Sequence, residues 1–198
     1  DESQSINASR QLRDKFIYLE KMQKEQDAIT YQIQDDCYGI FSASARWNSI
    51  LMWSHYANNH TGFCIGYKEE ILRNYLIACG HLVKGGQISY AEEYPKMKPK
   101  PDFSPHDALM KAFKQTHTKS REWEYEEEYR IVKTISDPFT EEQRKIHIPL
   151  FCVSEVIIGM RIAKTHEDEI TNFCKTNNIQ SYKTKKVPFK FQIDRFPL

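Results

Sequence analysis

Two glutamates separated by a single residue, Glu126 and Glu128, are the strongest chemical signal in the chain. They stand in Trp123-Glu124-Tyr125-Glu126-Glu127-Glu128-Tyr129-Arg130-Ile131-Val132. Read as the strand Trp123–Lys133, this segment sends alternate side chains to opposite faces. One face takes Trp123, Tyr125, Glu127, Tyr129 and Ile131, and the other takes Glu124, Glu126, Glu128, Arg130 and Val132. Glu126 and Glu128 then stand roughly 7 Å apart, with Arg130 next in the row. Such a row keeps one carboxylate ionised against Arg130 while the other binds ligand hydroxyls. The same pattern also suits an exposed sheet face whose glutamates pair with lysines of a neighbouring strand, or two ligands of a metal. No third acidic or histidine ligand stands at a supportive spacing, so no metal is expected.

A second polar set lies in Asn48–Ala57, where Asn48 reads as the N-cap of a helix through Ile50-Leu51-Met52-Trp53-Ser54-His55-Tyr56. The helix is apolar nearly all round, which predicts burial on several sides. Ser54 and His55 within it then need hydrogen-bond partners. His55 is either a satisfied core histidine or, with Tyr56, faces a cleft beside the acidic strand. His55 and His60 are five apart, whereas a zinc-binding helix spaces its pair by four. Gly62 and Gly66 read as packing glycines, since no Gly-x-Gly-x-x-Gly phosphate loop occurs, and no Gly-x-Ser-x-Gly elbow supports a serine hydrolase.

The surrounding helices and strands can be read along the chain. Residues 9–28 are expected to form a helix with a stripe of Leu12, Phe16, Leu19, Met22 and Ile29, either peripheral or a spacer. Tyr38–Ser42 is a short strand, and Phe63–Tyr67 is a central one because it lacks polar alternation. A helix at 69–78 precedes a strand pair, Leu82-Val83 and Gln87–Tyr90, turning at Gly85-Gly86. Residues 94–105 hold Pro95, Pro99, Pro101 and Pro105 and read as an exposed loop. A helix from Asp107 to Ser120 leads into the acidic strand. Val153–Ile158 is a buried strand, 165–176 a helix, and 179–186 and 189–193 edge-type strands. Strands and helices mix without a βαβ rhythm, so the expected class is α+β, a mixed, mostly antiparallel sheet with flanking helices. Residues 1–36 form a helical N-terminal segment and 37–198 a single α+β domain.

The composition limits the partners. The chain has 198 residues, 40% hydrophobic and 28% charged, with a formal charge of +1. That is ordinary globular usage with no global field for a phosphate backbone, so nucleic-acid binding is not favoured. No apolar run approaches the roughly 20 residues needed to span a bilayer, so no membrane association is expected. Cys37, Cys64, Cys79, Cys152 and Cys174 are scattered without a Cys-x-x-Cys; Cys64 and Cys152 read as buried thiols. An odd, unpaired set suits the cytoplasm. The chain opens on Asp1 directly into a helical stretch, and a fragment is expected.

Several of these segments carry a resemblance: Phe41-Ser42-x-Ser44, Asn48-x-Ile50-Leu51-Met52-Trp53-Ser54-His55-Tyr56-Ala57, His60-x-Gly62-Phe63-Cys64-Ile65-Gly66, Ile88-Ser89-Tyr90, Trp123-x-Tyr125-Glu126-x-Glu128-Tyr129-Arg130-Ile131 and Val156-Ile157-Ile158-Gly159. From about residue 37 onward the chain resembles the bacterial domain of unknown function family twenty-nine seventy-one. The usual opening strand of that family is absent here. The layout is also similar to that of ADP-ribosyltransferases, in which a strand for NAD, a Ser-x-Ser strand before a helix, and a later Glu-x-Glu strand follow in order. What this resemblance implies is an ADP-ribosyltransferase-like core with NAD as substrate. Glu128 would hold the nicotinamide-ribose hydroxyl and stabilise the oxocarbenium charge. Glu126 would position or deprotonate the acceptor, a protein or nucleic acid. Ser42 or Ser44 would brace the pocket wall, with His55, Tyr56 and Arg130 also binding NAD. The protein would then be a toxin or phage-defence effector, acting as a transferase or NAD glycohydrolase. Two further readings are a non-catalytic sensor or interaction module, contacting partners through loop 94–105 and helix 9–28, and a metal-dependent nuclease or nucleotide hydrolase.

Overall fold

The computed structural model describes residues 2–81, 83–95, 113–134 and 138–198. The chain opens with helix α1 (Glu2–Cys37), strand β1 (Tyr38–Ser44), helix α2 (Ile50–Tyr56), strand β2 (Phe63–Tyr67) and helix α3 (Glu69–Ala78). Then come β3 (Val83–Gln87), β4 (Ser89–Ala91), β5 (Thr118–Ser120), a 3-10 helix at Arg121–Glu126 and β6 (Glu128–Thr134). The C-terminal part comprises α4 (Glu141–Arg144), β7 (Val153–Ile158), α5 (Lys164–Thr176), β8 (Gln180–Lys186) and β9 (Ile193–Pro197). The class is α+β. One sheet has the order β1-β6-β3 and is antiparallel; a second runs β2-β7-β8-β9, with only β7 and β8 parallel; β4 and β5 form a short parallel pair.

Two apolar clusters join these layers. Trp53, Ala57, Ile157 and Ile193 pack α2 and the residue that ends it on the second sheet. Leu72, Leu76, Ile131 and Cys152 pack α3 on the first. Each fully buried Leu or Ile contributes about 1.5–3 kcal/mol, so these contacts fix where both sheets sit. Among the described side chains of α1, Phe16, Leu19 and Ile29 of the expected stripe are all exposed. The C-terminal end of α1 is tied down, because Phe139 donates its backbone N–H to Asp36 O at 2.7 Å and Arg144 reaches Asp35 O at 2.7 Å.

Several expectations are corrected. Ser49, not Asn48, caps α2: its buried hydroxyl accepts from Met52 N, while Asn48 Oδ1 accepts from Arg46 Nε at 2.9 Å. The helix is not buried all round; Trp53 is its buried residue, and Leu51, His55 and Tyr56 are exposed. Strand β2 is an edge, not a centre, and leaves Phe63 and Ile65 exposed. Gly85 and Gly86 make no turn but lie inside β3, where a Cβ on Gly85 would collide with the Tyr129 hydroxyl and one on Gly86 would meet Phe113 at 3.1 Å. Large neighbours need that space, which is a common reason for glycine within a strand. Of the expected helix Asp107–Ser120, residues 107–112 lie outside the described set, 113–116 are helical, and Thr118–Ser120 is strand β5. Most of the Pro-rich loop, from residue 96, is also outside it. The last strand begins at Ile193, since Val187 N bonding to Gln192 O at 3.0 Å closes a turn over 188–192.

Gly159 follows β7 and donates its N–H to Gly62 O at 2.9 Å. A Cβ there would collide with the carbonyl oxygen of His60 and lie 2.8 Å from Gly62 O. Both obstacles are backbone, so neither can rotate away. Gly159→Ala is expected to cost at least the upper end of the roughly 1–3 kcal/mol typical of overpacking, read as a lower urea midpoint with an unchanged slope.

Candidate functional site

The first sheet presents two different faces. Antiparallel pairing of β1 and β6 sets Ile40 opposite Val132, Ser42 opposite Arg130 and Ser44 opposite Glu128. These even-numbered residues share one face, and the odd-numbered Phe41, Tyr129, Ile131 and Lys133 share the other. The serine strand and the acidic strand are therefore hydrogen-bonded neighbours.

The expected strand over Trp123–Glu127 is replaced by the 3-10 helix, and β6 starts only at Glu128. Ser120 caps this helix by accepting from Glu122 N, and Glu127 N returns to Glu124 O at 3.2 Å. Glu127 then takes a left-handed conformation, φ 43 and ψ 51. Ala45 N donates to Glu127 O at 2.9 Å, and Arg46 adds an exposed ion pair to the Glu127 carboxylate at 3.2 Å. This reversal, not strand alternation, brings Glu126 and Glu128 together. Glu124 stays exposed and is not part of the row.

Both carboxylates are buried, Glu126 at 3% and Glu128 at 5% exposure, so the exposed glutamate face does not form. Lys119, from β5, bridges them, with Nζ at 2.5 Å from Glu126 Oε2 and 3.1 Å from Glu128 Oε2. Tyr56 OH donates to Glu126 Oε1 at 2.7 Å. Arg130 grips Glu128 through Nε at 2.7 Å and Nη2 at 3.1 Å, and its Nη1 donates to Thr116 O at 2.5 Å. Ser44 Oγ donates to Glu126 O at 2.6 Å, and Glu128 N donates to the hydroxyl of Tyr90, on β4, at 2.7 Å. Trp123 lies under the Lys119 ammonium, 4.8 Å from ring centroid to Nζ. Two acids and two cations cancel, so the cluster has no surplus charge for an anion. It is rich in groups that exchange hydrogen bonds with hydroxyls.

Burial pushes the Glu128 carboxyl up, but Arg130, the Ser42 side chain and Lys119 together hold it below the usual carboxylate range. Burial likewise depresses the Lys119 ammonium, yet the two glutamates leave it above its ordinary value. Tyr56 is raised, first by its bond to Glu126 and then by burial. His55 does not reach the carboxylates. It is exposed, its ring centroid 6.4 Å from Tyr56 and 6.2 Å from Tyr125. Ser54 satisfies itself by donating to Ile50 O at 2.9 Å. Ser42, Ser44, Tyr56, Glu126, Glu128 and Arg130 thus meet in one place, with His55 at its margin. Lys119, Tyr90 and Thr116 were missed. A need for a cation beside two buried acids was the available signal, but it does not single out Lys119 from the other lysines. Among the described residues, no group of three or more His, Cys, Asp or Glu side chains could hold a metal ion. No described helix is long and apolar enough to cross a membrane.

Stability should respond to pH at both ends. Folding favours ionised Glu128, so its contribution is present above the ordinary 4.5 and is lost as pH falls through the lowered value. Glu167 acts in the same direction, chiefly through its bond from Lys183 at 2.6 Å. Tyr129 acts oppositely: burial and its bond to Glu69 push the phenol from 10.0 up to about 12. Its contribution is present below pH 10.0 and is lost as pH rises through about 12. Urea midpoints measured against pH should fall at both extremes, and Tyr129→Phe should make the alkaline limb shallower while leaving the acid limb unchanged.

Residues 52–131 match the family described as Protein of unknown function (DUF2971). No curated protein and no solved structure matches the chain. The matched span includes Tyr56, Tyr90, Lys119, Glu126, Glu128 and Arg130, whereas Ser42 and Ser44 precede it.

Proposed function

From a chain whose middle segment matches a family of unknown function, we propose an ADP-ribosyltransferase-like site that consumes NAD, with Glu128 as its central carboxylate. The observation that carries this reading is the register of β1 on β6, Ser44 opposite Glu128 and Ser42 opposite Arg130, around an acid held in its ionised form. Breaking the bond between nicotinamide and ribose builds positive charge on the ribose. A fixed carboxylate that also accepts a ribose hydroxyl stabilises that charge in a poorly solvated site. Glu126, with the Tyr56 hydroxyl on one oxygen, is set to orient or deprotonate an acceptor, a protein, a nucleic acid or water. Arg130 keeps Glu128 ionised and aimed. Lys119 bridges both acids, so a ribose hydroxyl reaches Glu128 only when this ammonium shifts.

Such chemistry suits a cytoplasmic effector, a toxin or a phage-defence protein. The test is free nicotinamide released from NAD over time, with and without added protein and nucleic-acid acceptors. Release above the protein-free control is expected. Intact NAD under all these conditions would refute the proposal.

A further inference from the structure

On the other face of the first sheet lies a cavity of about 420 Å³, within the roughly 300–1,000 Å³ range of small-molecule sites. Phe41, Leu72, Val83, Ile131 and Ile148 give it apolar walls, and Lys133 and Arg144 are its cations. Lys133 is only 8% exposed. Its ammonium donates to the backbone oxygen of Gln143 at 3.2 Å and lies 5.1 Å from the centroid of the Phe139 ring. Among the described residues no carboxylate pairs with Lys133 or with Arg144, whose guanidinium donates to the Asp35 and Asp36 carbonyls and stacks on Phe139 at 5.2 Å. The Lys133 charge is felt nearby, since the His81 imidazole is depressed by burial first and then by Lys133.

A buried cation without a counter-charge is costly, and an anion delivered beside it recovers that cost. The walls ask for something different, a body that gains by leaving water. We infer that this cavity binds an apolar monocarboxylate of the fatty-acid type, its head on Lys133 and its tail between α3 and the sheet. The site is independent of the NAD reading, because Ile131 and Lys133 point away from Glu128 and Arg130 along the same strand.

The test is calorimetric titration of the full chain with decanoate and, separately, decanol. Decanoate is expected to bind at least about tenfold tighter, the effect of one charge-assisted contact. Lys133→Met should erase that preference and leave decanol binding unchanged, and Lys133→Gln should do the same if the methionine variant folds poorly. Val83→Phe should fill the space and weaken both ligands. Equal affinity for acid and alcohol, a preference that survives both Lys133 variants, or no binding of either ligand would overturn the inference.

Discussion

Glu128→Gln is expected to lower nicotinamide release from NAD by about 100- to 1,000-fold, the loss seen when one preorganised charge-stabilising group is removed from an enzyme. Glutamine keeps the size of the side chain and can still meet a ribose hydroxyl. It cannot supply the negative charge that the developing oxocarbenium needs. The same change also leaves Arg130 and Lys119 with one acid fewer, so the fold must be measured alongside the rate. If the glutamates only fasten β5, the 3-10 helix and β6 together, any residual rate will follow the folded fraction. If Glu128 acts on substrate, a fully folded variant will still be slow. Glu126→Gln separates the two acids further, since it should spare hydrolysis of NAD by water more than transfer to a macromolecular acceptor.

Lys119→Met should be the most damaging single change for stability in this cluster, at about 3–5 kcal/mol, because it strands charge that folding has already removed from water. Glu126 suffers most. It would keep only the Tyr56 hydroxyl on its carboxylate, whereas Glu128 retains Arg130. Lys119→Met combined with Glu126→Gln should recover most of the loss, because the orphaned charge is gone. Urea denaturation of the wild type, both single variants and the double variant closes a cycle whose coupling energy reads the pair directly. Additive losses would mean that the 2.5 Å contact contributes little.

The chemistry of this region was more legible than its backbone. Arg130 and the acid pair declared themselves by type and spacing, Ser42 and Ser44 came from the resemblance to the ADP-ribosyltransferase layout, and all of them do meet. The acids meet for another reason than the one alternation suggested: a left-handed Glu127 folds the chain back, and nothing local in a run of glutamates announces that conformation. Lys119 was hidden because its place depends on the pairing of β4 with β5, residues distant in sequence. The glycine pair read as a hairpin turn because that is their common local use; the Tyr129 and Phe113 side chains that claim the space come from elsewhere in the chain. An apolar run such as Phe63–Tyr67 is consistent with a central strand, yet it ends one sheet, since the run does not reveal which of its edges gains a neighbour. Helices α3 and α5 were readable because their apolar residues recur with the helical period, and strand β7 because Val156-Ile157-Ile158 is an unbroken apolar run.

The outer rim of β2 has a consequence for handling the protein. Among the described residues no strand borders it, so its free amide and carbonyl groups, flanked by exposed Phe63 and Ile65, offer a template on which another molecule could zip. The irregularity between Gly66 and Tyr67 interrupts that template near its end and shortens any such zipper. Self-association of concentrated samples through this rim is expected to fall in Ile65→Lys, as read by light scattering.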